Sequence, residues 1–194
     1  MTGLAVLVDL IAVVVVVSGV TKLRSPRPFA DLTSTMGVSI GSVGARVVGL
    51  AEIALGVWVL VSGGRAACAV LAVAYLAFAV VVVLARRAGA PSCGCFGAAA
   101  APPGAVHIVL NLTSAAVAAA GAVAGDLAGI GTTLSDQPLA GVPFLVLLGT
   151  GAWLVVSLDT VGATVFESTR ELTTMGPVFR ENAAAPSPSR TTTR

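Results

Sequence analysis

The chain has 194 residues, of which 56% are hydrophobic and 10% charged, with a net charge of +2 and a mean hydropathy of +0.98. A water-soluble domain carries about 25% charged residues. A soluble globular protein is therefore excluded, no nucleic-acid partner is expected, and a lipid bilayer must cover the apolar surface that the chain's own core cannot hide. Aromatic residues make up only 5%, and Ala, Val and Gly dominate, the composition that lets helices approach closely where no hydrophobic force draws them together.

A membrane-crossing helix needs about 20 mostly apolar residues. Residues 2–20 meet this requirement, interrupted only by Asp9. The run has no basic leader and no small-residue cleavage site before Lys22, so it reads as an uncleaved helix rather than a signal peptide. Residues 21–42 follow as a basic, proline-broken loop with Lys22, Arg24, Pro26, Arg27 and Pro28. The second span, residues 43–62, is the least apolar because it holds Arg46 and Glu52. Ser62-Gly63-Gly64-Arg65 makes a tight hairpin into a charge-free third span, residues 66–84. The loop at 85–103 carries Arg86, Arg87 and the string Pro91-Ser92-Cys93-Gly94-Cys95-Phe96-Gly97. A fourth span at 104–125 has His107 and Asn111 as its notable polar residues, and an acidic, Gly-rich loop leads to a charge-free fifth span at 139–158. The composition of residues 167–194 is that of a disordered polar tail.

The expected fold is thus all-α: a polytopic transmembrane helical bundle with a four-helix core and a fifth C-terminal span. Residues 1–125 form the membrane domain, 126–166 the acidic loop and fifth helix, and 167–194 the tail. With five spans, ten of the eleven Lys and Arg residues fall on the side of the first loop, the third loop and the tail, with Arg65 alone opposite. The positive-inside rule then predicts an outside N-terminus and a cytoplasmic C-terminus in the plasma membrane. It also puts the cysteine loop at the cytoplasmic face, in tension with the oxidising side on which disulfides ordinarily form.

Cys93 and Cys95 flank one glycine. Usual disulfides want Cα atoms about 4.4–6.8 Å apart, so a pair at i and i+2 must bend the chain, which Gly94 permits. Such a bond would be strained and easily reduced, which suits exchange rather than scaffolding, and the nearby Arg86 and Arg87 favour the thiolate. Two ordinary thiols in a turn are the plain alternative. A soft metal held by the two thiolates and His107, with Glu52 as a fourth ligand, competes on weaker spacing; neither a metal nor a cofactor is expected. His107, the only histidine, shares a helix face with Asn111 and is either a proton carrier for thiol exchange or a polar helix-end residue bonded to a neighbour. Glu52, roughly 9 Å deep if counted from Arg46 at 1.5 Å per residue, faces the bundle interior as a proton acceptor, a partner of His107, or a member of a helix-helix hydrogen bond or an Arg/Lys pair. Asp9 is expected at the opposite interface, and Cys68 as a buried apolar thiol remote from the loop cysteines.

These residues carry a resemblance. Ser18-Gly19-Val20-Thr21-Lys22-Leu23-Arg24-Ser25-Pro26-Arg27-Pro28-Phe29, and the acid-bearing Gly49-Leu50-Ala51-Glu52-Ile53-Ala54-Leu55-Gly56, resemble the first two helices of DoxX-like membrane proteins. Cys93-Gly94-Cys95-Phe96-Gly97 ahead of a helix with His107 and Asn111 is similar to the MauE branch, the methylamine-utilisation membrane proteins. The resemblance covers about residues 1–125. It implies a small bundle, usually of four spans, with a redox-associated role in maturing a disulfide-rich partner alongside a thioredoxin-like protein. Cys93 and Cys95 would be the redox pair, and Glu52, Lys22, His107 and Asn111 motif positions of unknown role. The chain departs from the family in its fifth span and tail, and in Leu110, where a basic residue is expected in many relatives. The reading is thiol-disulfide exchange supporting disulfide formation or maturation of a partner protein. The alternatives are a non-enzymatic scaffold for a redox complex, or a small-solute or metal transporter.

Overall fold

The computed structural model describes residues 3–94, 102–125, 127, 146, 149–154 and 156–157. Every regular element among them is helical: α1 (Gly3–Arg24), α2 (Arg27–Thr35), α3 (Gly41–Ser62), α4 (Arg65–Arg87) and α5 (Ala105–Ala124). Four of these, α1, α3, α4 and α5, are long and apolar enough to cross a membrane. The expected fifth span falls largely outside the described residues. Those of its positions that are described are helical, and a Cβ at Gly151 would stand 2.9 Å from Leu10 of α1. The acidic loop, apart from Leu127, and the tail lie outside the described residues.

The proline-broken first loop is corrected by the structure. It contains α2, which starts with Pro26 at its N-cap and Pro28 in its first turn. Proline breaks a helix interior, but in the first turn its fixed φ is pre-set for the helix and its missing N–H is one that would lack a partner anyway. The helix is two-faced: Leu32 is buried in a cluster with Ala85 and Ala90, joined by Phe29, Met36 and Val81, while Asp31, Ser34 and Thr35 are exposed. Its apolar face packs against the end of α4, so the helix caps the end of the bundle where α1 finishes and α4 ends. The expected hairpin between α3 and α4 is present. Gly63 takes φ +57° as the left-handed cap of α3, its N–H donating to the Val59 carbonyl, and Gly64 leads directly into α4.

The helices pack chiefly as two pairs, α1 along α3 and α4 along α5. Val8, Ile11, Ala12 and Val15 of α1 meet Val59 of α3, Leu71, Ala72 and Tyr75 of α4, and Ala115 and Ala118 of α5 in one core. The Tyr75 hydroxyl crosses from α4 to donate to the Ile11 carbonyl at 2.7 Å, so the one buried phenol is satisfied. The outward residues are as apolar as the core: Val43, Val47, Leu50, Trp58 and Val61 on α3, Val73 and Val80 on α4, Val109 and Val123 on α5 are all exposed. Apolar exposure on this scale belongs against lipid.

Lipid tails offer α1 and α3 no hydrophobic reason to associate, so close van der Waals contact must hold them. Glycines supply it. A Cβ at Gly19 would sit 2.5 Å from the Gly49 carbonyl oxygen, one at Gly49 would sit 2.7 Å from that of Gly19, and one at Gly56 would meet Ala12 at 2.7 Å. Gly49→Ala therefore forces backbone apart from backbone. The expected cost is about 1–3 kcal/mol, the usual range for overpacking, read as a lowered thermal unfolding midpoint in detergent. Gly3→Ala, which meets nothing within 4 Å, leaves the midpoint unchanged.

Candidate functional site

Lys22 is the only lysine of the chain. The sequence suggests a loop cation; the structure instead puts it in the last turn of α1, with only 2% of its side chain exposed. Its ammonium donates to Glu52 Oε2 at 2.9 Å and to Ser18 Oγ, one turn back on the same helix, at 2.7 Å. It also stands 5.0 Å from the centre of the Phe29 ring of α2. A buried ammonium has three protons to place, and two hydrogen bonds and one aromatic face receive them. The close approach of Gly19 to Gly49 makes the pair possible, because it brings the α1 and α3 backbones near enough for Lys22 to span the gap. Of the partners weighed for Glu52, the structure selects lysine. Arg46 is exposed and takes no part.

Glu52 is 4% exposed, and its second oxygen, Oε1, has no hydrogen-bond partner among the described residues. It borders a cavity of about 200 Å³ together with Ser18, Lys22, His107, Asn111 and Ser114. The remaining walls are apolar or aromatic, among them Phe29, Val48, Tyr75, Phe78 and Leu110. The cavity thus lies among α1, α3, α4 and α5, with α2 at one end. Tyr75 and Phe78 stand edge to face, their ring centres 5.7 Å apart.

His107 is 1% exposed. Its Nδ1 accepts the backbone N–H of Gly104 at 3.2 Å, tying the ring to the start of α5 as a capping side chain does. With Nδ1 accepting, the neutral ring carries its hydrogen on Nε2. Asn111 donates through Nδ2 to the His107 carbonyl at 2.7 Å. Lys22, Glu52, His107 and Asn111 therefore meet around one cavity, although they come from three helices. Sequence reasoning missed Ser18, Phe29 and Ser114 as members of this group. Ser18 lies four residues before Lys22 and Ser114 three after Asn111, so helical spacing could have found both; nothing local marked Phe29.

The cysteine loop is seated on α2. Gly94 takes φ +65°, and a Cβ there would be 3.0 Å from both the Phe29 Cα and the Pro28 carbonyl oxygen. Cys93 is buried, with 1% exposure. Phe29 thus lies against Gly94 through its backbone and also lines the cavity. Cys95 lies outside the described residues. Among the described residues no three His, Cys, Asp or Glu side chains gather as metal ligands would.

The other polar groups lie elsewhere. Cys68, in the first turn of α4, is fully buried and approaches the Gly63 carbonyl at 3.7 Å, remote from the loop as expected. Asp9 corrects the expectation of an interfacial acid: it is 3% exposed, because its side of α1 turns into the bundle, and its Oδ2 has no hydrogen-bond partner among the described residues.

The spans and their lipid-facing exteriors define a multi-pass helical membrane protein. The model of one family, described as methylamine utilisation protein MauE, matches residues 2–124. The chain belongs to the MauE family, and through it is a membrane protein linked to methylamine utilisation. No curated protein and no solved structure matches the chain.

Two predictions follow from this geometry. Breaking a buried pair by removing one partner costs about 3–5 kcal/mol, whereas replacing both with apolar groups is often neutral. Lys22→Met and Glu52→Met should each strongly lower folded yield and unfolding midpoint, and the double variant should recover most of the loss. Gly94→Ala adds a left-handed residue penalty of roughly 1–2 kcal/mol to its clash with Phe29. In a Cys68→Ala, Cys95→Ser background, where Cys93 is the sole thiol, it should speed maleimide labelling of Cys93 several-fold.

Proposed function

We propose that this protein carries out thiol-disulfide exchange with a partner protein through Cys93 and Cys95, supporting disulfide formation or maturation of that partner. The observation that supports this reading is the close approach of Gly94, the neighbour of Cys93, to Phe29, which lines the same cavity as Lys22, Glu52, His107 and Asn111. Membership of the MauE family agrees with it.

For disulfide formation, a partner thiolate attacks the Cys93–Cys95 bond and forms a mixed disulfide. A second partner thiolate displaces the remaining cysteine, so the partner is oxidised and the pair is left as a dithiol. Run in reverse, a thiolate of the pair attacks the partner's disulfide. Because Cys93 is buried, the partner reaches it only when the loop lifts from α2, so docking of the loop limits exchange to productive encounters. His107 serves this chemistry as a proton carrier, its ring oriented by the Gly104 N–H that Nδ1 accepts, while Asn111 lines the same cavity. A thioredoxin-like protein, or one containing disulfides, is the partner class that suits the exchange.

The wider architecture follows the same reading: a DoxX-like four-helix core over residues 1–125, a fifth helix on its flank within 126–166, and a separate polar tail over 167–194. The Lys/Arg distribution supports insertion in the plasma membrane with the N-terminus outside and the C-terminus in the cytoplasm. Burial of Lys22 withdraws one cation from that count but leaves its sign unchanged.

The expected result is that a Cys93→Ser, Cys95→Ser double variant, expressed at the wild-type level, does not complement a deletion strain. In membranes holding the wild type, an impermeant maleimide should label the pair only after mild reduction. Full complementation by the double variant would overturn the proposal.

A further inference from the structure

We infer that the cavity beside Lys22 and Glu52 binds the ring of a membrane-dissolved quinone and its quinol. Three features of the site point to this class. A dry apolar cavity of about 150 Å³ accommodates benzene, so the roughly 200 Å³ here suits one ring with small substituents and leaves no room for a long chain. The walls at Phe29, Tyr75 and Phe78 present aromatic and apolar surface to such a ring. Finally, Glu52 Oε1 is a buried acceptor on the cavity wall without a hydrogen-bond partner among the described residues, and a buried acceptor in that state costs free energy until a donor arrives. A quinol hydroxyl is such a donor. The oxidised ring instead presents carbonyl acceptors, and Ser114 and the Asn111 amide on α5 supply donors. Ala77, which is exposed, also borders the cavity, so the site reaches the outer surface of the bundle, where a lipid-soluble molecule arrives.

The position of the site gives the ligand its role, and this step rests on the exchange reading above. The Cys93/Cys95 dithiol left after a partner is oxidised must lose two electrons and two protons to reform its S–S bond. A quinone accepts both pairs and leaves as quinol, so the equation balances without another oxidant. Phe29 lines the cavity and its backbone lies against Gly94, the neighbour of Cys93, so one residue links the thiol-bearing segment to the quinone site.

The test uses the purified full-length chain in lipid nanodiscs and a photoreactive azido-benzoquinone with a short alkyl tail. Saturable labelling should map to cavity residues of α1, α3, α4 or α5. Glu52→Gln should weaken it, but that change also strips Lys22 of its counter-charge, so Ser114→Phe, which fills the cavity and leaves the pair intact, is the deciding variant. It should retain the wild-type unfolding midpoint without ligand and lose at least tenfold in probe affinity. Equal labelling of Ser114→Phe and wild type, or labelling confined to the lipid-facing side of α3, overturns the inference. Binding that is normal in the Cys93→Ser, Cys95→Ser variant, with no oxidation of the wild-type thiols, would uphold the site and refute the redox reading.

Discussion

A lysine and a glutamate lie within the apolar bundle, and much of the arrangement around them follows from keeping them paired. Removing an ammonium and a carboxylate from water costs several kcal/mol per ion even after relaxation. The 2.9 Å contact between Lys22 and Glu52 recovers that only if the helices bearing them stay close. Gly19 and Gly49 permit that closeness, since any side chain at either would strike the opposing backbone. Ser18 and the Phe29 ring complete the coordination of the ammonium. The last contact is what brings α2 into the membrane domain: its first turn supplies the aromatic face, and its buried Leu32 fastens it to the end of α4.

From that arrangement comes the asymmetry of the molecule. At one end, polar side chains from α1, α3 and α5 border a largely apolar cavity, with Phe29 of α2 at its end. At the other, Cys68 is buried close to the α3–α4 turn, with the buried Asp9 of α1 in the same half of the bundle. Between them the core is made of small and branched aliphatic residues, with Tyr75 bonded across to α1. The exchange proposed for Cys93 and Cys95 would benefit from this separation, because Gly94 rests on the first turn of α2, whose Phe29 ring is held against the charge pair.

The first four membrane spans were legible because hydropathy over about 20 residues is a property of local sequence. That Arg46, Glu52, His107 and Asn111 share one half of the membrane was legible too, since the first and third loops lie on one side, but only the last three line the cavity and Arg46 faces outward. What the sequence did not reveal depends on tertiary context. Lys22 looked like a loop cation because it stands beside Arg24, Pro26 and Arg27, and only its neighbours on α3 decide that it turns inward. The helix beginning at Arg27 was hidden by prolines, whose effect reverses between a helix interior and its first turn. Asp9 looked interfacial from its depth, whereas its side of α1 faces the bundle core. The seating of Gly94 on Phe29 joins segments 65 positions apart and left no local signal.

The single lysine makes the central interaction directly measurable. With 15N-lysine and 13C-glutamate incorporated, and the protein in lipid bilayers, solid-state NMR dipolar recoupling between Lys22 Nζ and a glutamate Cδ reports their separation. The account predicts strong dephasing, corresponding to a distance of roughly 3–4 Å for a direct charge-assisted hydrogen bond, and its loss in Glu52→Gln with the carboxyl label absent at that position. A wild-type Nζ with no glutamate carbon within about 6 Å, well beyond hydrogen-bonding reach, would contradict it.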